Sequence, residues 1–162
     1  SPIDSGADFV VESLTKYVTG HLDGMSGLLA VHNDRLTEMD MIEMTEYFQH
    51  GGMLETKETR QRVKYGMETF DLRMASIEQN ARTVTRKLAD MGFHVAYPGI
   101  GGVIWIHSIE KDIVNRFHYI IGSDTFGLNK STWCYLEKPH ILRLSIGVEP
   151  IEIILKDIEG ML

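Results

Sequence analysis

The sequence predicts an α/β architecture, the end of an α/β layer joined by one long helix to a small α+β domain, and three observations predict it. Two short apolar runs, Phe9-Val10-Val11 and Leu28-Leu29-Ala30-Val31, lie near the start without polar alternation, as in strands covered on both faces. A long helical pattern opens at Thr56 and closes at Gly92. Strand-like and helix-like segments then alternate to the end. A helix of this length bridges two lobes, which divides the chain into an α/β part (1–62), a connecting helix (63–91) and a small C-terminal α+β domain (92–162).

Taken in order, Asp8 to Glu12 reads as a short buried strand bounded by Ser5-Gly6 and by the polar stretch Ser13 to Thr19. Gly20, Gly24 and Gly27 mark a tight loop before the second strand, Leu28 to Val31, and the pair reads as α/β core rather than a hairpin. Asn33-Asp34 can cap a helix from Arg35, with Leu36, Met39, Met41, Ile42 and Met44 as its apolar face and Gly51-Gly52 as its stop. In the long helix Val63, Met67, Phe70, Leu72, Met74, Ile77, Ala81, Val84 and Leu88 supply the stripe, and Gly66 marks a kink. Phe93 to Tyr97 and Val103 to Ile106 form an antiparallel hairpin around Pro98-Gly99-Ile100-Gly101-Gly102. Glu110 to Ile120 reads as helix, Ile141 to Ile146 as strand, and Pro150 opens a terminal helix. The stretch Phe126 to Leu136 is ambiguous between the two.

Composition narrows the function classes. With 162 residues, 43% hydrophobic and 24% charged, the chain can bury a sizeable core. No apolar run approaches the ~20 residues that span a bilayer, so no membrane role is expected. A net charge of -7 with 16 scattered Lys and Arg argues against nucleic acid. The single cysteine, Cys134, cannot form an internal disulfide, and the expected setting is cytoplasmic.

Two residues stand out chemically. Lys16 ends a strand beside two hydroxyls, Ser13 and Thr15, which at alternating positions could both donate to one phosphate while the amine reaches an aldehyde on the same molecule. Arg143 lies inside the apolar strand Ile141 to Ile146, where it either points outward to solvent or offers a guanidinium fork to a carboxylate. His21-x-Asp23 has too few partners for a zinc site, so no metal is expected. The glycines at 99, 101 and 102 lie between hairpin strands rather than before a helix, which disfavours a phosphate loop.

Gly6-Ala7-Asp8, an apolar run, Ser13-Leu14-Thr15-Lys16-Tyr17 and Gly20-His21-Leu22-Asp23 together resemble the cofactor-lysine segment of the pyridoxal-phosphate enzymes of cysteine and methionine metabolism. That group includes cystathionine γ-synthase, cystathionine lyases, methionine γ-lyase and O-acetylhomoserine sulfhydrylase. Gly66 to Met74 with Asn80-Ala81, and Leu142 to Glu149, are similar to two further family stretches in the same order.

The resemblance implies the C-terminal portion of an aspartate-aminotransferase-like, fold type I enzyme acting in trans-sulfuration. Pyridoxal 5′-phosphate would be held as a covalent imine on Lys16, its phosphate by Ser13 and Thr15, and the substrate α-carboxylate by Arg143. The expected chemistry is β/γ-elimination or γ-replacement on cysteine, cystathionine, methionine or an O-acylhomoserine, in a homodimer or homotetramer. Phe126 to Thr132 follows the family pattern less well, with Gly127 standing in for a serine. The family's front half, with the ring-stacking tyrosine and the aspartate that pairs with the pyridine nitrogen, has no counterpart in the chain. A fragment inactive by itself is therefore expected. Two alternatives stay open: an aminotransferase or decarboxylase on the same fold, and a degenerate paralogue that acts only in association.

Overall fold

A computed structural model describes residues 2–51 and 55–162. Gly52, half of the expected helix stop, and the side chain of Asn33, the expected cap, lie outside the described residues.

Two sheets organise the chain. In the first, β1 (Phe9–Ser13) pairs antiparallel with β2 (Gly27–Val31), from Phe9↔Val31 to Ser13↔Gly27. The expected buried α/β pair is thus an antiparallel pair, and it is largely exposed, with Val11 at 81% and Phe9 at 54%. An apolar run encodes what a strand can bury, not whether a covering layer is at hand. Most of this chain's layers pack on the second sheet.

That second sheet has the order β3-β4-β7-β6-β5, from His94–Ala96 (β3), Val103–His107 (β4), Ile121–Gly122 (β5), Thr132–Leu136 (β6) and Ile141–Ser145 (β7). The expected hairpin of β3 and β4 is present, and the ambiguous stretch resolves into a loop followed by β6. β5 runs parallel to β6; the other pairs are antiparallel.

The helices are α1 (Glu38–His50), α2 (Lys57–Glu68), α3 (Phe70–Asp90) and α4 (Ile151–Glu159). Ile77, Ala81, Val84 and Leu88 of α3 and Ile154 and Ile158 of α4 are buried with Ile104, Ile106, Leu142 and Leu144, the inward residues of β4 and β7. Alternation therefore sends Val103, Trp105, Arg143 and Ser145 to the opposite face of the sheet.

Three helical expectations change. α1 begins at Glu38, capped by Thr37 in a reciprocal box with Asp40, because Thr37 can satisfy the first-turn amides that Asp34 is too far upstream to reach. The segment from Glu110 makes only a 3-10 turn, Lys111–Arg116. The backbone N–H groups of His118, Tyr119 and Ile120 donate instead to the buried carboxylate of Asp157 on α4, at 2.9, 2.7 and 2.7 Å, which draws them out of a helical ladder. The long helix is interrupted at Thr69 (φ -107, ψ 0), three residues beyond Gly66. Among the described residues no helix is long and apolar enough to cross a membrane.

Candidate active site

β1 ends at Ser13, and the chain turns at once: Leu14 N and Thr15 N both donate to Ser26 O, and Gly20 N closes on Lys16 O at 2.8 Å. Lys16 lies inside this turn rather than on the strand. Strand alternation does not relate Ser13 to Thr15 as the sequence suggested. Ser13 is exposed, whereas Thr15 Oγ1 accepts from Ser26 N at 2.9 Å and donates to Ser26 O at 3.2 Å.

The half-buried Lys16 reaches across to the loop between β5 and β6. Its Nζ donates to Thr125 Oγ1 at 2.7 Å and lies 5.0 Å from the centre of the Phe126 ring. Arg143 approaches the same ring from β7, its Cζ 5.3 Å from the centre. Both cations gain from the negative ring face.

Arg143 does not simply point to solvent. Its Nη2 donates to three successive carbonyls, Ser123 O (3.2 Å), Asp124 O (3.0 Å) and Thr125 O (3.1 Å), which fixes the plane of the guanidinium. Its Nε is buried and has no hydrogen-bond partner among the described residues. A buried donor left unpaired is costly, by about 1–3 kcal/mol, and an incoming acceptor such as a carboxylate relieves that cost.

Thr125 and Phe126 were missed by sequence reasoning, although Thr125 is the hydroxyl residue directly before Phe126-Gly127. Gly127 itself lies beneath Lys16 at φ +74, where an added Cβ would come within 3.2 Å of the Tyr17 ring and 3.3 Å of Lys16 Cβ. The hydroxyl that meets the lysine is thus Thr125's, and a side chain at position 127 would be strained by its positive φ and tight against Tyr17 and Lys16.

Tyr17 anchors the turn from its other side. Its hydroxyl accepts from the Gly102 N–H at 3.0 Å, and burial raises its pKa above the ordinary tyrosine value, opposed by that hydrogen bond and reinforced by Glu78. His21 Nε2 lies 3.1 Å from Asn129 Nδ2, and Asp23 pairs with Arg62 (3.6 Å), so both members of the His-x-Asp pair have protein partners. The 99–102 loop serves as a seat for Tyr17 through Gly102.

The residues that meet fit an aldehyde cofactor at the Lys16 amine and an amino-acid carboxylate at the Arg143 Nε edge. For a phosphate they offer the exposed Ser13, whereas the Thr15 hydroxyl proton is directed at Ser26 O.

Comparison with known proteins identifies the family of the chain. The family model described as "Cys/Met metabolism PLP-dependent enzyme" matches residues 1–132. A cystathionine gamma-synthase/O-acetylhomoserine (thiol)-lyase of Bacillus subtilis is 29% identical, over 99% of this chain and 48% of its own length. A cystathionine beta-lyase of Neurospora crassa is 35% identical over 62% of this chain and 21% of its own. The chain spans about half the length of the curated relatives it matches along its whole length. Among solved structures, an apo methionine gamma lyase from Micromonospora echinospora superposes with a TM-score of 0.88 at 20% identity, covering 99% of this chain and 50% of that one. A cystathionine gamma synthase from Xanthomonas oryzae pv. oryzae gives 0.84 at 21%, over 99% and 51%.

Proposed function

Because the chain belongs to the Cys/Met metabolism PLP-dependent enzyme family, we propose that it supplies the cofactor lysine and the substrate-carboxylate arginine of a pyridoxal-phosphate enzyme of sulfur amino-acid metabolism. The observation that carries this reading is the convergence of Lys16 and Arg143 on one aromatic ring, with the buried Nε of Arg143 unpartnered among the described residues.

Residues 1–62 contribute the end of the cofactor-binding domain, 63–91 the connecting helical segment and 92–162 the small domain that carries Arg143. Pyridoxal phosphate, when bound, supplies the electron sink for bonds broken at the substrate Cα. Lys16 holds the cofactor through its amine and, once released, takes the proton from Cα and returns it at Cβ or the leaving group. Ser13 donates to the phosphate directly, and Thr15 does so after its hydroxyl turns away from Ser26 O. Arg143 accepts the α-carboxylate on its Nε edge and so fixes which Cα bond faces the lysine. Phe126 walls the space between the two.

The reaction is β/γ-elimination or γ-replacement on a small sulfur-containing or O-acylated amino acid, in the cytoplasm and in a homo-oligomer. Association is supported by the exposed apolar residues Met39, Met41 and Ile42 on α1 and Met67 and Leu72 near the helix break. The 162 residues span about half the length of the curated relatives and are expected to give no turnover by themselves. Steady-state elimination by this chain at kcat about 1 s⁻¹ or more would overturn that part.

Treating the chain with pyridoxal phosphate, reducing with borohydride and mapping the labelled peptides tests the central assignment. Label is expected to concentrate on Lys16 and to vanish from that peptide in Lys16→Ala. An even spread over surface lysines overturns the assignment and favours a non-catalytic paralogue.

A further inference from the structure

Arg73 belongs to the second of the three matching stretches, yet nothing in the proposed chemistry uses it. Its guanidinium is half-buried at the break between α2 and α3 and makes five hydrogen bonds. Nε donates to Thr69 Oγ1 (3.0 Å), Nη1 to Tyr17 O (2.7 Å) and Asn129 Oδ1 (3.0 Å), and Nη2 to Val18 O (2.6 Å) and Gly66 O (2.8 Å). An arginine side chain has five N–H donors, so the group is saturated.

The identity of the acceptors matters. Tyr17 and Val18 are the two residues that follow Lys16, and their carbonyls lie in a turn outside regular structure. Asn129 belongs to the loop that carries Thr125 and Phe126, the two contacts of the Lys16 amine. Its backbone also accepts from Val148, just beyond the strand of Arg143, and donates to Gly20 O, both at 2.8 Å. One planar cation thus grips the lysine turn, the helix break and the loop against Arg143.

We propose that Arg73 is the positioning residue that sets the Lys16 turn against the Thr125–Arg143 side of the site. It touches neither substrate nor cofactor and acts through the backbone of residues 17 and 18. The inference rests on the reading of Lys16 as the reactive amine. A lysine cannot take over this role, because its three donors radiate from one atom and cannot span acceptors on three segments.

The test combines amide hydrogen exchange with the borohydride trapping of pyridoxal phosphate, on the 162-residue chain and its Arg73→Ala and Arg73→Lys variants. Charge-assisted bonds of this kind predict that exchange at Thr19 and Gly20 accelerates about tenfold or more in both variants. The strand amides of β4 and β7 keep their rates, and millimolar guanidinium restores slow exchange in Arg73→Ala. The share of trapped label on Lys16 falls and recovers in parallel. Uniform acceleration through the core, or parent-like exchange and trapping in Arg73→Lys, overturns the proposal, because either makes Arg73 an ordinary stability residue or a mere charge. If the turn loosens as expected while the parent chain shows no preference for Lys16 in trapping, Arg73 positions the turn and the reading of Lys16 fails instead.

Discussion

Arg143 on β7 faces away from the core in the position alternation assigns it, and the carbonyls of residues 123–125 then hold it in plane. Replacement by lysine retains the charge but loses both the planar hold and the open Nε. In the complete, cofactor-loaded enzyme to which the chain is proposed to contribute, Arg143→Lys is therefore expected to raise KM for the amino-acid substrate by about tenfold or more, with a smaller change in kcat. Steady-state kinetics check this, and an unchanged KM removes the carboxylate role. At this scale the sequence singled out Lys16 and Arg143, and the structure brings both cations to the Phe126 ring. The sequence could not show that they share Phe126, because 109 residues separate Lys16 from its partner Thr125 and only the packed loop brings them together. The pairing of Ser13 with Thr15 was misread for a local reason, since the strand ends at Ser13, two residues before Thr15, and alternation does not reach it.

Among the elements, the α2–α3 pair decides how close the lysine turn comes to the small domain. Gly66 is buried against that turn, and an added Cβ would overlap the carbonyl of Val18 and come 2.9 Å from its carbon. Helix propensity alone favours Gly66→Ala by about 1 kcal/mol. The close approach reverses the sign, since overpacking costs about 1–3 kcal/mol. Gly66→Ala is expected to lower Tm by several degrees, measured by thermal unfolding, and a raised Tm would show that the turn does not press on the helix. Periodicity made α3 legible because its apolar stripe at 77, 81, 84 and 88 meets a sheet within the same chain. It misled for Glu110 to Ile120, where Asp157, 37 residues or more away, captures three amides.

For the whole molecule, Tyr17 links the Lys16 turn to the loop between β3 and β4 through Gly102. Burial raises its pKa, so the folded chain holds the phenol proton more tightly than the unfolded chain does. The stability from this group is complete below the ordinary tyrosine value near ~10 and is lost as pH rises through the raised folded value. Tyr97, raised mainly by its own burial, adds in the same direction. Thermal unfolding between about pH 8 and about pH 11 should show a falling Tm in the parent chain and a flatter profile in Tyr17→Phe. At neutral pH that variant should lie lower, because the buried Gly102 N–H loses its acceptor at a cost of about 1–3 kcal/mol. An equal alkaline slope in both proteins would remove Tyr17 from the account.

By itself the sequence determined the family through three ordered motifs, the strands and helices whose apolar faces are read over short distances, and the identity of the two cations. The tertiary structure decided what those residues meet. It placed Thr125 and Phe126 beside Lys16, gave Arg73 its five acceptors, interrupted the long helix at Thr69 and left β1 and β2 largely exposed. The physical reason is range. Propensity and periodicity act over a few residues, whereas a guanidinium, a buried carboxylate or an aromatic ring chooses partners from whichever segments the packed chain brings within about 3 to 6 Å.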